Sequence, residues 1–156
     1  MNKYRNYFIT SGSGTDETEG LVAFDNALLN ASIANYNLVK ISSILPPHCK
    51  QTCSIPLEFG SPILTAFGTC SSSNVGETIS SAVAIGVPAD ENENGVIMEI
   101  SGVGSAVSME HRVRKMAEQA MKNHGIELAN IVSSSAERTV QEGEGIVSVI
   151  SAVCIF

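Results

Sequence analysis

Asn37-Leu38-Val39-Lys40-Ile41-Ser42-Ser43-Ile44-Leu45-Pro46-Pro47 is the stretch on which the reading of this chain turns. Leu38, Val39 and Ile41 are apolar or β-branched and predict a strand. Pro46-Pro47 ends it, because a proline can neither donate to a ladder nor continue a helix. Two serines sit at the break. A Ser-Ser bond at a strand end can be pressed out of relaxed geometry by the packing on either side, which brings the Ser43 hydroxyl toward the carbonyl carbon of Ser42. Attack there turns the amide into an ester. β-Elimination then leaves dehydroalanine, which hydrolyses to a pyruvoyl group at a new N-terminus. From the dipeptide alone, an ordinary strand followed by a polar turn carries more weight.

On the N-terminal side of this stretch, Leu21, Phe24, Leu28 and Leu29 recur at helical spacing and predict a helix over residues 19–31. Asp25 falls on the same face, four residues after Leu21 and three and four before Leu28 and Leu29. That spacing puts its carboxylate at the core edge, where a charge needs a partner. Local donors would satisfy it equally well. Residues 4–10 predict a first strand, and Ser11-Gly12-Ser13-Gly14-Thr15-Asp16 a loop that ends in a helix cap at Thr15 or Asp16. The glycines of that loop do not make a phosphate site: no Gly-Lys-Ser/Thr follows, and Asp16, Glu17 and Glu19 would repel the ligand.

On the C-terminal side, Ile63-Leu64-Thr65-Ala66-Phe67 predicts a strand, and 79–85 is a run of small and apolar residues suited to close packing. Residues 88–94 are polar and punctuated, hence a loop. In the strand Val96-Ile97-Met98-Glu99-Ile100-Ser101, Glu99 shares a face with Ile97 and Ser101 and lies opposite Val96, Met98 and Ile100. A lone Glu in so apolar a strand is either exposed on the outer face of a sheet, the commoner case, or held in a cleft with a raised pKa. Met109, Val113, Met116, Ala117, Ala120 and Met121 make residues 105–124 an amphipathic packing helix with Gly125 as its C-cap and His111 and His124 on its surface. Residues 131–135 and 145–156 close the chain as strands, the last apolar on both faces and therefore interior. Strands interrupted by two long helices give an α+β architecture.

The 156 residues fit one domain with a sizeable core. Nine Lys and Arg against sixteen Asp and Glu, a formal charge of -7, leave no basic footprint for nucleic acid or an anionic membrane. Acidity suits a cationic small substrate, but it is also ordinary for a soluble protein. No signal-like start and no apolar run near the ~20 residues of a membrane span is present, which predicts a cytoplasmic protein. Cys49, Cys53, Cys70 and Cys154 read as reduced thiols. His48-Cys49 with Cys53 is at most half a zinc site, since Cys70 and Cys154 have no close Cys or His neighbour, and no metal is expected.

Four stretches, in order, carry a family resemblance: Ala23-Phe24-Asp25-Asn26-Ala27-Leu28-Leu29, the Asn37–Pro47 stretch quoted above, Gly76-Glu77-Thr78-Ile79-Ser80-Ser81-Ala82 and Gly95-Val96-Ile97-Met98-Glu99. Together they resemble the pyruvoyl-dependent arginine decarboxylases, over roughly residues 9–156. The resemblance implies a four-layer αββα sandwich, assembled as a trimer or a dimer of trimers with active sites at subunit interfaces. It also implies one domain over 1–156, self-cleaved between Ser42 and Ser43 into 1–42 (β chain) and 43–156 (α chain). The implied reaction is decarboxylation of L-arginine to agmatine and carbon dioxide, with a covalent pyruvoyl group from Ser43 and no pyridoxal phosphate. By position, Glu99 aligns with the family's general acid, Asn37 with a residue that assists processing, and Asp25 with the guanidinium ligand, where a carboxylate can accept a bidentate pair.

The sequence departs from the family at Ala31-Ser32-Ile33-Ala34-Asn35, usually a glycine-richer Ala-Gly-Ile-Gly-Asn, with no catalytic residue affected. A short arm ahead of the first strand leaves trimer against hexamer open. Two further readings remain: a pyruvoyl-dependent decarboxylase of another amino acid, and an unprocessed, non-catalytic trimeric scaffold.

Overall fold

A computed structural model describes residues 3–156. Nine strands and two helices follow one another as β1 (Asn6–Asp16), α1 (Gly20–Asn30), β2 (Asn37–Lys40), β3 (Ile44–Leu45), β4 (Lys50–Gln51), β5 (Pro62–Ser72), β6 (Thr78–Pro88), β7 (Gly95–Val103), α2 (Ala106–His124), β8 (Leu128–Thr139) and β9 (Ile146–Ile155). They make a five-stranded sheet in the order β2-β5-β9-β1-β4 and a four-stranded sheet in the order β3-β7-β6-β8. α1 packs on β1 and β9 of the first sheet, and α2 on β6, β7 and β8 of the second. The inner faces meet through Tyr7, Ala66, Val83, Ile85, Ile97 and Val153. The layer order is therefore α1, sheet, sheet, α2: an αββα sandwich, as expected.

Period-2 alternation sorts the side chains. In β9, Val149, Val153 and Ile155 point between the sheets, whereas Ile150, Ala152 and Cys154 meet α1. β9 is the middle strand of its sheet and buried on both faces, which is why its sequence shows no polar side. α2 starts at the N-cap Ser105, whose hydroxyl accepts from the Ser108 N–H at 3.2 Å, and stops at Gly125, whose φ of 71° is the left-handed value a C-cap needs. His111 and His124 are exposed on it, as expected.

Between the sheets runs a narrow polar layer. The Ser81 hydroxyl donates to the Gly68 carbonyl at 2.9 Å, so the 2.6 Å contact between Ser81 and Ser151 must carry the Ser151 proton. Further along, the Ser134 hydroxyl donates to Ser11 and Ser11 to the Ser135 carbonyl, both at 2.8 Å. Each proton ends on an acceptor, which is what lets hydroxyls sit in an apolar core at little cost.

Two expectations fail at the N-terminal end. Residues 11–16 are strand, not loop: β1 runs through to Asp16 and pairs with β9 over its whole length. Its glycines are there for close approach, since a Cβ on Gly14 would stand 2.3 Å from the Ala27 nitrogen and one on Gly12 2.7 Å from the Ala27 carbonyl oxygen. This contact also decides which face of α1 is buried. With the helix backbone against the strand, the small residues Ala23 and Ala27, with Leu28, face inward, while Leu21 and Leu29 are 79% and 53% exposed. Asp25, expected at the core edge, is exposed with them. The N-cap of α1 is Glu19, with no side-chain cap bond; Asp16, expected as the cap, instead accepts from the Thr18 and Glu19 N–H groups ahead of the helix at 3.0 and 2.7 Å, and these bonds hold its carboxyl below the usual range.

No helix among the described residues is long and apolar enough to cross a membrane. Nor do the described residues hold a group of three or more His, Cys, Asp or Glu placed to bind a metal ion.

Candidate active site

β2 and β3 belong to different sheets, and residues 41–43 are the link between them. β2 runs parallel to β5 as far as Lys40 opposite Thr65, and the Ile41 N–H still donates to the Thr65 carbonyl at 3.1 Å. β3 runs antiparallel to β7 from Ile44 opposite Val96, and the Ser43 carbonyl already accepts from the Ile97 N–H at 2.7 Å. The peptide bond between Ser42 and Ser43 thus lies where the chain steps from one sheet to the other, held by β5 on one side and β7 on the other. Ser42 is exposed and Ser43 half-buried. Pro46, right after Leu45, is where this second strand has to stop.

The β3–β7 register carried back by one residue sets Ser43 opposite Ile97, so Glu99 lies two residues further along β7, about 7 Å away along the strand. Glu99 points to the inner face. Its neighbours on that face are Ile97, in the core between the sheets, and Ser101, whose hydroxyl donates to the Thr69 carbonyl at 2.9 Å. Across the gap is Gly68 of β5, where an added Cβ would touch the Glu99 Cβ and Cγ at 3.5 Å. Glu99 is therefore the cleft case, not the outer face. Burial raises the pKa of its carboxyl, and the Lys40 charge opposes that only in part. A carboxyl held neutral to higher pH can give a proton away. Lys40 stands at the same edge on the α1 side of β5, its Nζ 4.6 Å above the Phe67 ring.

Asn37 and Asp25 are not part of this cluster within one chain. Asn37 opens β2, about 10 Å from Lys40 at the other end of the strand, with its side-chain amide donating to the Gly60 carbonyl at 2.6 Å. Asp25 projects from the exposed side of α1, in the outermost layer.

The sequence model for "Pyruvoyl-dependent arginine decarboxylase (PvlArgDC)" matches residues 6–156. A pyruvoyl-dependent arginine decarboxylase of Methanocaldococcus jannaschii is 42% identical over 134 residues, 86% of this chain and 81% of that one. Its namesake in Methanococcus aeolicus is 41% identical over 133 residues, 85% and 80% of the two chains. That of Pyrococcus abyssi is 38% identical over 138 residues, 87% and 85%. This chain belongs to the pyruvoyl-dependent arginine decarboxylase family.

Membership implies a pyruvoyl cofactor, and the sheet-to-sheet link suits one. The flanks of the Ser42-Ser43 bond are bonded to separate sheets, so an end created there would stay in place, with the Ser43 carbonyl fixed by Ile97. Three participants in the geometry escape a reading of motifs. The Ile97 N–H is backbone and carries no sequence signal. Gly68 does carry one, an isolated glycine inside a strand, which marks close approach of another group. Lys40 is the lone charge in an otherwise apolar run just before the serines.

Proposed function

We propose that the chain cleaves itself between Ser42 and Ser43 and, once cleaved, decarboxylates L-arginine to agmatine and carbon dioxide. The observation that carries this reading is the step from sheet to sheet at residues 41–43, with the Ser43 carbonyl on the Ile97 N–H and Glu99 facing the same gap.

In the processing step the Ser43 Oγ bonds to the Ser42 carbonyl carbon and the Ser42–Ser43 C–N bond breaks, giving an ester and a free Ser43 amine. Loss of the Ser43 α-proton expels the Ser42 carboxylate, and water then replaces the enamine nitrogen, which leaves as ammonia. Residues 1–42 and 43–156 stay associated after the cut because β1 keeps its ladder with β9 and β2 its ladder with β5. Asn37, given its place at the far end of β2, stabilises the oxyanion of this step from a neighbouring copy of the chain.

A pyruvoyl group at position 43 supplies a carbonyl that condenses with the substrate α-amine and withdraws the electron pair left behind by carbon dioxide. The chain's own residues do the rest. Ile97 fixes the position of the Ser43 carbonyl. Glu99, whose neutral form burial favours, returns a proton to the α-carbon from its carboxyl oxygen. Asp25 takes the guanidinium as a bidentate pair. Since Asp25 lies on an exposed helix face between Leu21 and Leu29, it reaches a site only on another copy, which fits the trimeric assembly with shared sites that the family resemblance implies.

Arginine should release agmatine, and histidine, ornithine and aspartate should yield no amine. Asp25→Ala should keep the cleavage at Ser42-Ser43 and lower kcat/KM for arginine relative to citrulline by at least tenfold, since losing one partner of a desolvated charge pair costs ~2–5 kcal/mol. An unchanged ratio together with a lowered melting temperature would make Asp25 a helix residue and remove it from recognition.

A further inference from the structure

Asp25 and Glu99 account for the guanidinium and the α-carbon of an amino-acid substrate, but neither can receive its α-carboxylate, which both would repel when ionised. The molecule does hold a cation at that edge of the site. Lys40 is the last residue of β2, two positions before Ser42, and its side chain is exposed. Its ammonium rests 4.6 Å above the Phe67 ring, and Phe67 is half-buried, packed into the cluster beneath α1. A ring so fixed holds the cation from one side and leaves its other N–H donors turned away from the ring.

Among the described residues no carboxylate lies within salt-bridge distance of this cation. The one salt bridge among them joins Arg138 to Glu144, far from Lys40 in the fold. The acidic group that feels Lys40 is Glu99, and burial favours the neutral form of Glu99. Burial therefore weakens the one opposing charge that Lys40 meets beside the Ser42-Ser43 link. The chain as a whole is strongly acidic, so a positive point at the sheet edge beside the Ser42-Ser43 link is a local inversion of the field.

We propose that Lys40 binds the α-carboxylate of the amino-acid substrate, a role that rests on the decarboxylase reading above. The contact has a consequence for turnover. Carbon dioxide carries away the carboxyl group, so the product amine can make no such contact, and Lys40 distinguishes substrate from product. A cation that served only as a solubilising surface group would treat the two alike.

The test compares arginine with agmatine, its decarboxylated counterpart, in the full-length wild type, Lys40→Met and Lys40→Arg. Loss of a charge-assisted hydrogen bond should raise KM for arginine in Lys40→Met on the order of tenfold. The inhibition constant of agmatine and the cleavage at Ser42-Ser43, read by intact mass, should not change, and Lys40→Arg should recover most of the arginine KM. Unchanged KM in Lys40→Met, or equal weakening of arginine and agmatine, overturns the proposal. Should Lys40→Met fail to fold, the wild type alone suffices: argininamide, with its carboxylate neutralised, must inhibit clearly more weakly than arginine binds, and equal affinity refutes the assignment. If the wild type releases no agmatine, the decarboxylase reading falls by itself. Calorimetric titration of wild type and Lys40→Met with arginine and agmatine then reads the Lys40 contrast free of turnover.

Discussion

Glu99 shows how one position sets a proton's availability. The groups facing it are Gly68 across the gap, Ile97 and Ser101 on its own strand, Val83 beside it on β6, and the Lys40 charge at the edge. Four of the five give a carboxylate no charge to lean on, so burial prevails over Lys40 and the pKa is raised. Two consequences follow in opposite directions. As the proposed general acid Glu99 would work in its protonated form, so turnover should fall as pH rises through a value above that of an ordinary glutamate. For folding, the raised pKa means that stability is fully present below the unfolded-state value and is lost as pH rises through the folded-state value. Glu99→Gln removes the ionisation without the shape. It should still cleave at Ser42-Ser43, lose about 100-fold or more in decarboxylation, and melt no lower than the wild type at neutral pH. Near-normal turnover in this variant would take Glu99 out of the mechanism, and a lower melting temperature would contradict the desolvation argument.

At the scale of elements, the contact between β1 and α1 governs where Asp25 points. Gly14→Ala would force a Cβ to within 2.3 Å of the Ala27 backbone nitrogen, and the helix must move to relieve it. Overpacking of this kind costs ~1–3 kcal/mol, or about 3–10 °C in melting temperature for a chain of this size. Gly20→Ala, at the open start of α1 with nothing within 4 Å, is the control and should be neutral or slightly stabilising. Equal melting temperatures for the two variants would mean that the glycines of β1 are not what seats the helix. The same contact explains why the sequence misled here. Ser-Gly-Ser-Gly is a loop composition by propensity, and Leu21, Leu28 and Leu29 look like the buried face by hydrophobicity. Neither signal reports that a strand of glycines will admit alanines more closely than leucines. Elsewhere the local pattern sufficed: the α2 stripe ending at Gly125, the doubly apolar β9, and the alternation that put Glu99 with Ile97 all appear as read. What the pattern could not choose was whether the Glu99 face points outward or between the sheets, because that depends on which layer covers which side.

On the scale of the whole molecule, the sandwich is tied together by a chain that changes sheets at Ser42-Ser43. That link is the one part of the site that local sequence displays and only topology explains. Two serines before a double proline are visible; that β2 pairs with β5 and β3 with β7 is not, since both pairings join residues distant in sequence. Asp25 and Asn37 remain apart from Ser43 within one chain, so the reading of their roles depends on assembly, whereas the reading of Ser43 does not. The proposed cleavage can therefore be tested without knowing the oligomer. Intact-mass analysis of the purified full-length protein, under denaturing conditions, addresses it directly. The wild type should give two species, residues 1–42 with a free C-terminal carboxylate and residues 43–156 at the mass of a pyruvoyl N-terminus, refractory to N-terminal sequencing. Ser43→Ala should give one intact chain without decarboxylase activity. A wild type that stays a single polypeptide through prolonged incubation and still converts arginine to agmatine would contradict the account at its centre.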